Sequence, residues 1–167
     1  MTVGDDTFAD VLASNRGYAD RFRLAGLDGN AARSLAVLTC MDSRIDPLGA
    51  LGLQPGDAKI LRNAGARVTG DVLRTLVLAT YLLRVDRFMV MAHTGCRMAA
   101  PSDSVLKAAI RDAGGPDTGD MEFLVAPDQV AAVCADVERV RSEPSLARLR
   151  VGGFLYDVET GRVDRVC

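Results

Sequence analysis

Three short apolar runs limit what this chain can fold into: Leu35–Thr39, AKILRNAG at 58–65 and RFMVMAH at 87–93. Each has strand length and strand composition. The segments between them carry helix signals. Thr69 can cap a helix running to about Arg84, with Asp71 in the first turn, where the helix dipole favours a carboxylate. Pro101-Ser102 opens a helix to about Ala113, and Pro127 or Asp128 opens one to about Arg141. DPLGALGLQPGD at 46–57 reads as a helical turn and loop. MEFLVA at 121–126 reads as a fourth strand, and RVGGFLYDVETGRVDRV at 150–166 as a hairpin about a Glu-Thr-Gly turn. Strands alternating with helices predict an α/β fold: a mostly parallel sheet with right-handed crossovers, flanked by helices and ending in an antiparallel hairpin. Upstream, Phe8, Val11, Leu12, Tyr18 and Phe22 suit an amphipathic helix over about 5–24, with Gly17 as its weak point. Residues 1–30 thus form a predicted helical arm. With 167 residues, no repeat and no long linker, the chain is expected to be one domain, 1–167.

Composition excludes several functions. Net charge is -2, so no basic surplus points to nucleic acid or anionic lipid. Aromatics at 5% give no base-stacking platform. The acidic N-terminal stretch has no hydrophobic leader core, and the most apolar segment, 72–92, is interrupted by Arg74, Arg84 and Arg87. These features predict a cytoplasmic protein with no membrane span. The four cysteines (40, 96, 134 and 167) are then expected to stay reduced, available to a metal or idle.

Reactive residues cluster where strands end. Cys40, Asp42 and Arg44 follow the first strand in CMDSR; His93, the only histidine, closes the third and is followed by Cys96 in HTGC. With strand order 2-1-3-4, strands one and three are neighbours. A switch in strand order falls between them, which is where open α/β sheets bind ligands. Zinc takes Cys and His donors in tetrahedral geometry, and three protein ligands with one open position mark a catalytic site. Cys40, His93 and Cys96 are the expected metal ligands. Cys134 is read as helix core and Cys167 as an end residue. Asp42 and Arg44, two apart, point the same way in an extended segment, and the guanidinium fork matches a carboxylate. An exposed pair of this kind is worth little by itself. Beside a metal it has two uses: Arg44 can hold Asp42 off the ion so that water is the fourth ligand, or release it to close the site.

These residues resemble the beta class of carbonic anhydrases, in its compact prokaryotic branch. Cys40, Asp42 and Arg44 match that family's CxDxR, residues 62–65 its RNAG segment, and His93 and Cys96 its HxxC. GFLYDVETGRV resembles its last hairpin, so the likeness runs from about 34 to 166. The resemblance implies one Zn2+ per chain and reversible hydration of carbon dioxide to bicarbonate and a proton by zinc-bound hydroxide. Asp42 would orient the attacking group and Arg44 would fix Asp42, while Ala64 and Gly65 would help position substrate. It also implies a homodimer or higher homo-oligomer, with the helical arm on the partner. Carbon disulfide or carbonyl sulfide hydrolysis on the same scaffold, and a non-catalytic zinc- or bicarbonate-binding role, are the rival expectations.

Family members commonly carry glycine after the second cysteine, where this chain has Arg97. If that glycine has a backbone conformation closed to other residues, Arg97 is strained. Two thiolates and one imidazole cancel the zinc charge. A three-histidine zinc site keeps it and holds water near pKa ~7. Activity is therefore expected to rise on the alkaline side of neutrality. With the single histidine used as a ligand, proton export falls to buffer, water or carboxylates.

Overall fold

The order of elements in the computed structural model, which describes residues 7–167, follows the alternation in the sequence. Helix α1 spans Ala9–Ala19, β1 Leu35–Cys40, α2 Pro47–Ala50, β2 Ala58–Asn63, α3 Gly70–Leu82 and β3 Arg87–His93. Then come α4 Asp103–Asp112, α5 Gln129–Arg141, β4 Arg150–Tyr156 and β5 Val163–Arg165. The sheet order is β2-β1-β3-β4-β5, parallel from β2 to β4 and antiparallel between β4 and β5. The expected core order 2-1-3-4 and the closing antiparallel hairpin are present, with the first strand of that hairpin in the fourth place.

Every residue of β1 is buried, as a central parallel strand covered on both faces requires. Ala36 and Leu38 join Phe88, Val90 and Ala92 of β3 on one face, against Val72, Leu76 and Ala79 of α3 and Val133, Val137 and Val140 of α5. Leu35, Val37 and Met91 face the other way, with Ile45, Leu53, Met98 and Leu106. Helix starts are fixed locally. Thr69, Ser102 and Asp128 each accept a hydrogen bond from the backbone N–H three residues on, capping α3, α4 and α5.

Three expectations need correction. Residues 121–126 do not form a strand. Leu124 has φ +57, outside the extended region, and the neighbouring N–H groups go elsewhere. Phe123 and Val125 donate to the Asp103 carboxylate, and Ala126 to the Met98 carbonyl. The place beside β3 is taken by β4 instead. Helix α1 is not interrupted at Gly17 but runs through it to Ala19, and none of its side chains is buried; residues 5 and 6 of the expected helix lie outside the described residues. Cys134 and Cys167 are not separate thiols: they form a disulfide, with their Cα atoms 5.9 Å apart. Gly153 makes room for it, since a Cβ there would lie 2.5 Å from the Cys167 sulfur.

Candidate metal centre

The parallel order sets the carboxyl ends of β1, β2 and β3 side by side, with Cys40 in register with Asn63. Cys40 is the last residue of β1 and His93 the last of β3. After His93 the chain turns back at once. Thr94 N–H donates to the Tyr156 carbonyl, its hydroxyl accepts from Val158 N–H, and Gly95 takes φ +63. That turn returns Cys96 to the end of the sheet. The positive φ falls on Gly95 and not on Arg97, so the expected strain at Arg97 is absent. Arg97 is exposed and lines a cavity of about 640 Å³ together with Asp42, Arg44 and Cys96.

The Cys40, His93 and Cys96 donor atoms all lie within 4.8 Å of one another, and all three residues are buried. The two sulfurs are 3.9 Å apart. Two thiolates on a tetrahedral zinc, each at about 2.3 Å, would stand about 3.8 Å apart. His93 Nδ1 meets the Thr94 carbonyl at 2.9 Å, which turns Nε2 inward. Nε2 is buried with no hydrogen-bond partner. Unpartnered buried polar atoms are rare because desolvation is costly, and this one faces two sulfurs. Soft donors, spacing and an orphaned nitrogen fit a zinc ion. The Cys40 and Cys96 sulfurs share a hydrogen bond, which lowers the Cys40 pKa and, with burial, raises that of Cys96. The Cys40 sulfur likewise raises the His93 pKa.

Asp42 stands at the edge of this cluster, one carboxylate oxygen 3.8 Å from His93 Nε2. Arg44 grips it: Nε donates to Oδ1 at 2.9 Å, Nη2 to Oδ2 at 2.8 Å, and the backbone N–H to Oδ1 at 3.0 Å. Nη2 also reaches the Gly95 carbonyl at 3.2 Å, tying CMDSR to HTGC. These bonds hold the Asp42 carboxyl well below the usual carboxylate range, and the pair raises Arg44 in turn. Ala64 and Gly65 follow β2 in a 3-10 turn, and Gly65 N–H donates to Cys40 Sγ at 3.4 Å.

The motif reading gave no role to Arg62. Its guanidinium takes two backbone carbonyls of CMDSR and the next one beyond it: Cys40 at 2.9 Å, Asp42 at 2.6 Å and Ile45 at 3.2 Å. The signal available in the sequence was its place at the end of the strand next to β1. A charged donor on three loop carbonyls fixes the approach of Cys40 and Asp42 together. Arg62→Ala is expected to lower turnover about 10–100-fold, the usual effect of losing support behind a ligand. Arg62→Lys is expected to recover only part, since an ammonium lacks the planar fork. Stopped-flow rates and zinc content of both variants check this.

Comparison with known proteins agrees with the geometry. A family model described as carbonic anhydrase matches residues 35–115. Beta-carbonic anhydrase 1 of Mycobacterium tuberculosis is 34% identical over 169 residues, covering 99% of each chain. A carbon disulfide hydrolase of an Acidianus species is 33% identical, over 87% of this chain and 82% of its own. The crystal structure of a carbonic anhydrase from Streptococcus mutans superposes with a TM-score of 0.88 at 35% identity, covering 96% of this chain and 97% of that one. The protein is thus a lyase of the zinc-dependent kind that a Cys-His-Cys cluster can serve. It belongs to the beta-carbonic anhydrase family.

Proposed function

We propose that Cys40, His93 and Cys96 hold one zinc ion per chain and that Asp42 and Arg44 form the catalytic pair for reversible carbon dioxide hydration. The observation that carries this is His93 Nε2, buried, unpartnered and turned toward two cysteine sulfurs. Bound zinc supplies Lewis acidity, lowering the pKa of a water and so providing the nucleophile near neutral pH. Asp42 accepts a hydrogen bond from the attacking group and orients its lone pair toward carbon. Arg44 holds both Asp42 oxygens, keeping the carboxylate ionised and aimed. In this reading Ala64 and Gly65 border the place where substrate sits, and the Gly65 N–H is already directed to the Cys40 sulfur.

The described residues act as one domain in this reading, and the protein works as a homodimer or higher homo-oligomer. Helix α1 supports that. It has 11 residues and buries none of them, yet isolated helices of such length are marginal in water. Val11, Leu12 and Tyr18 stay exposed, and a second copy would cover them. No helix among the described residues is long and apolar enough to cross a membrane. A cytoplasmic setting is retained as part of this reading, although the Cys134–Cys167 disulfide does not speak for a reducing compartment.

The similarity to a carbon disulfide hydrolase favours one rival substrate class, since carbon disulfide and carbonyl sulfide are linear like carbon dioxide. A non-catalytic role is disfavoured, because a metal bound for structure alone has no use for the clamped Asp42. Assaying purified protein on all three gases, with zinc content measured, tests the proposal. Carbon dioxide hydration is expected to be fastest. Its kcat/KM is expected to climb between about pH 7 and 9, since two thiolates leave a shell with no net charge to acidify water. Asp42, with its pKa lowered, is ionised throughout that range and adds no limb to the profile. A flat profile down to mildly acidic pH, or faster turnover of the sulfur gases, overturns this assignment.

A further inference from the structure

The turn that follows β2 is held in an unfavourable shape. Gly65 has φ +78 and Ala66 has φ +57, two successive left-handed residues of which only one is glycine. Its purpose is visible at Gly65, whose N–H is aimed at Cys40 Sγ. A Cβ at Gly65 would sit 3.0 Å from Met98 Cβ, so this position of the turn has room for glycine only. What fixes the turn lies on α5, far along the chain. Asp136 is 4% exposed, and one of its oxygens accepts from Val68 N–H at 3.2 Å and from Arg67 Nε at 2.7 Å. Its other oxygen accepts from Arg67 Nη2 at 3.4 Å. Arg67 Nη1 donates to the Leu124 carbonyl at 2.7 Å, and Arg139 to the Val68 carbonyl, also at 2.7 Å. The backbone of Arg67 closes on Asn63: its N–H donates to Asn63 Oδ1 at 2.9 Å, and Asn63 Nδ2 donates to its carbonyl at 2.8 Å. The left-handed turn is therefore bracketed, and the bracket is anchored on one buried carboxylate.

A buried carboxylate is costly to desolvate, and α5 could fill the space with an apolar residue, as it does at Val133, Val137 and Val140. We infer that Asp136 is a positioning residue for the metal centre: through Arg67 and Val68 it holds the 64–66 turn so that the Gly65 N–H stays on the Cys40 sulfur. The inference rests on the zinc reading and adds to it a control of ligand donation by a residue of α5. A hydrogen bond to a ligating sulfur draws electron density from it and sets its direction, so losing the aim changes both affinity and spectrum.

The test uses the full chain as wild type, Asp136→Asn, Arg67→Lys and Val137→Ala. Zinc affinity is measured by competition with a chromophoric chelator. The cobalt-substituted forms are scanned for the thiolate-to-metal charge-transfer band. Asp136→Asn is expected to bind zinc about tenfold more weakly and to shift that band. Arg67→Lys keeps the charge but not the fork, and is expected to fall between it and wild type. Val137→Ala opens a cavity one residue along the same helix and is expected to lower the melting temperature while leaving affinity and band unchanged. Should Asp136→Asn fail to fold, Arg67→Lys against Val137→Ala decides alone. Variants matching wild type in affinity and band overturn the inference, as does Val137→Ala showing the same losses. A wild-type chain that takes up no zinc overturns the zinc reading itself, and this inference with it.

Discussion

Cys96→Ser is expected to purify without its zinc and to hydrate carbon dioxide no faster than buffer does. Serine keeps the side-chain length, so the turn after β3 and the fold should survive. What it lacks is the thiolate. A serine hydroxyl does not ionise in the accessible pH range, whereas a metal deprotonates a coordinating thiol outright. Zinc binding in small Cys/His sites amounts to about 10–16 kcal/mol shared over four donors. Losing one anionic donor of three should therefore weaken binding by at least about 10²-fold. The loss also leaves one negative charge, not two, against the ion. Elemental analysis of the purified variant and stopped-flow assays with added zinc check the result. Full activity with stoichiometric zinc would show that Cys96 is not a ligand. The converse control is Cys134→Ser, whose sulfur lies with Cys167 against β4, away from the three donors; it should retain zinc and rate.

Asp42→Asn is the second large effect, and it separates metal binding from chemistry. The amide is nearly isosteric with the carboxylate and the metal donors are untouched, so zinc content should stay at one per chain. Turnover is expected to fall about 10²–10³-fold, the usual cost of losing a positioned proton acceptor. The amide also presents an NH2 toward an Arg44 guanidinium that makes three of its hydrogen bonds to this carboxylate and the Gly95 carbonyl. One clamp contact turns from attraction to opposition of two donors. Because Arg44 lowers the Asp42 pKa, folding gains from this carboxylate at every pH above its unfolded value near 4. The gain disappears as pH falls through its folded value. The fall in rate expected below neutral pH therefore does not come from protonating Asp42. If Asp42→Asn retained wild-type rates, the pair would be only a bridge from CMDSR to HTGC.

The strands of the sheet were readable in the chain because parallel strands are buried on both faces and show as unbroken apolar runs. Leu35–Cys40 and Arg87–His93 are of this kind. The caps were readable for a local reason: Thr69, Ser102 and Asp128 satisfy backbone N–H groups three residues away. Residues 121–126 misled because they form a loop that turns Phe123 and Val125 toward the core, with the N–H groups of both taken by Asp103, a side chain some twenty residues upstream. Local composition cannot report such a partner. The same holds at the site. The three candidate donors and the Asp42–Arg44 pair stand in short motifs, and the combination of those motifs at strand ends, with the family resemblance, pointed to them. Arg62 and Asp136 act on backbone groups, leave no spacing signature, and emerge only when β2 and α5 are seen against the ends of the sheet. The Cys134–Cys167 pairing was hidden for a similar reason, since it depends on the space left by one bare glycine in β4, Gly153.

The two sulfurs of the centre come from residues 56 positions apart, on segments that end neighbouring strands. An ion holding both would turn that length of chain into a closed ring containing α2, β2, α3 and β3. Loop closure of this length removes much of the unfolded chain's freedom. The strands β1 and β3 could then separate only after coordination breaks, which makes ion release and rupture of the sheet's centre a single event. The metal of the reaction would thus also be a reversible cross-link, and the lifetime of the folded chain would depend on the free zinc around it.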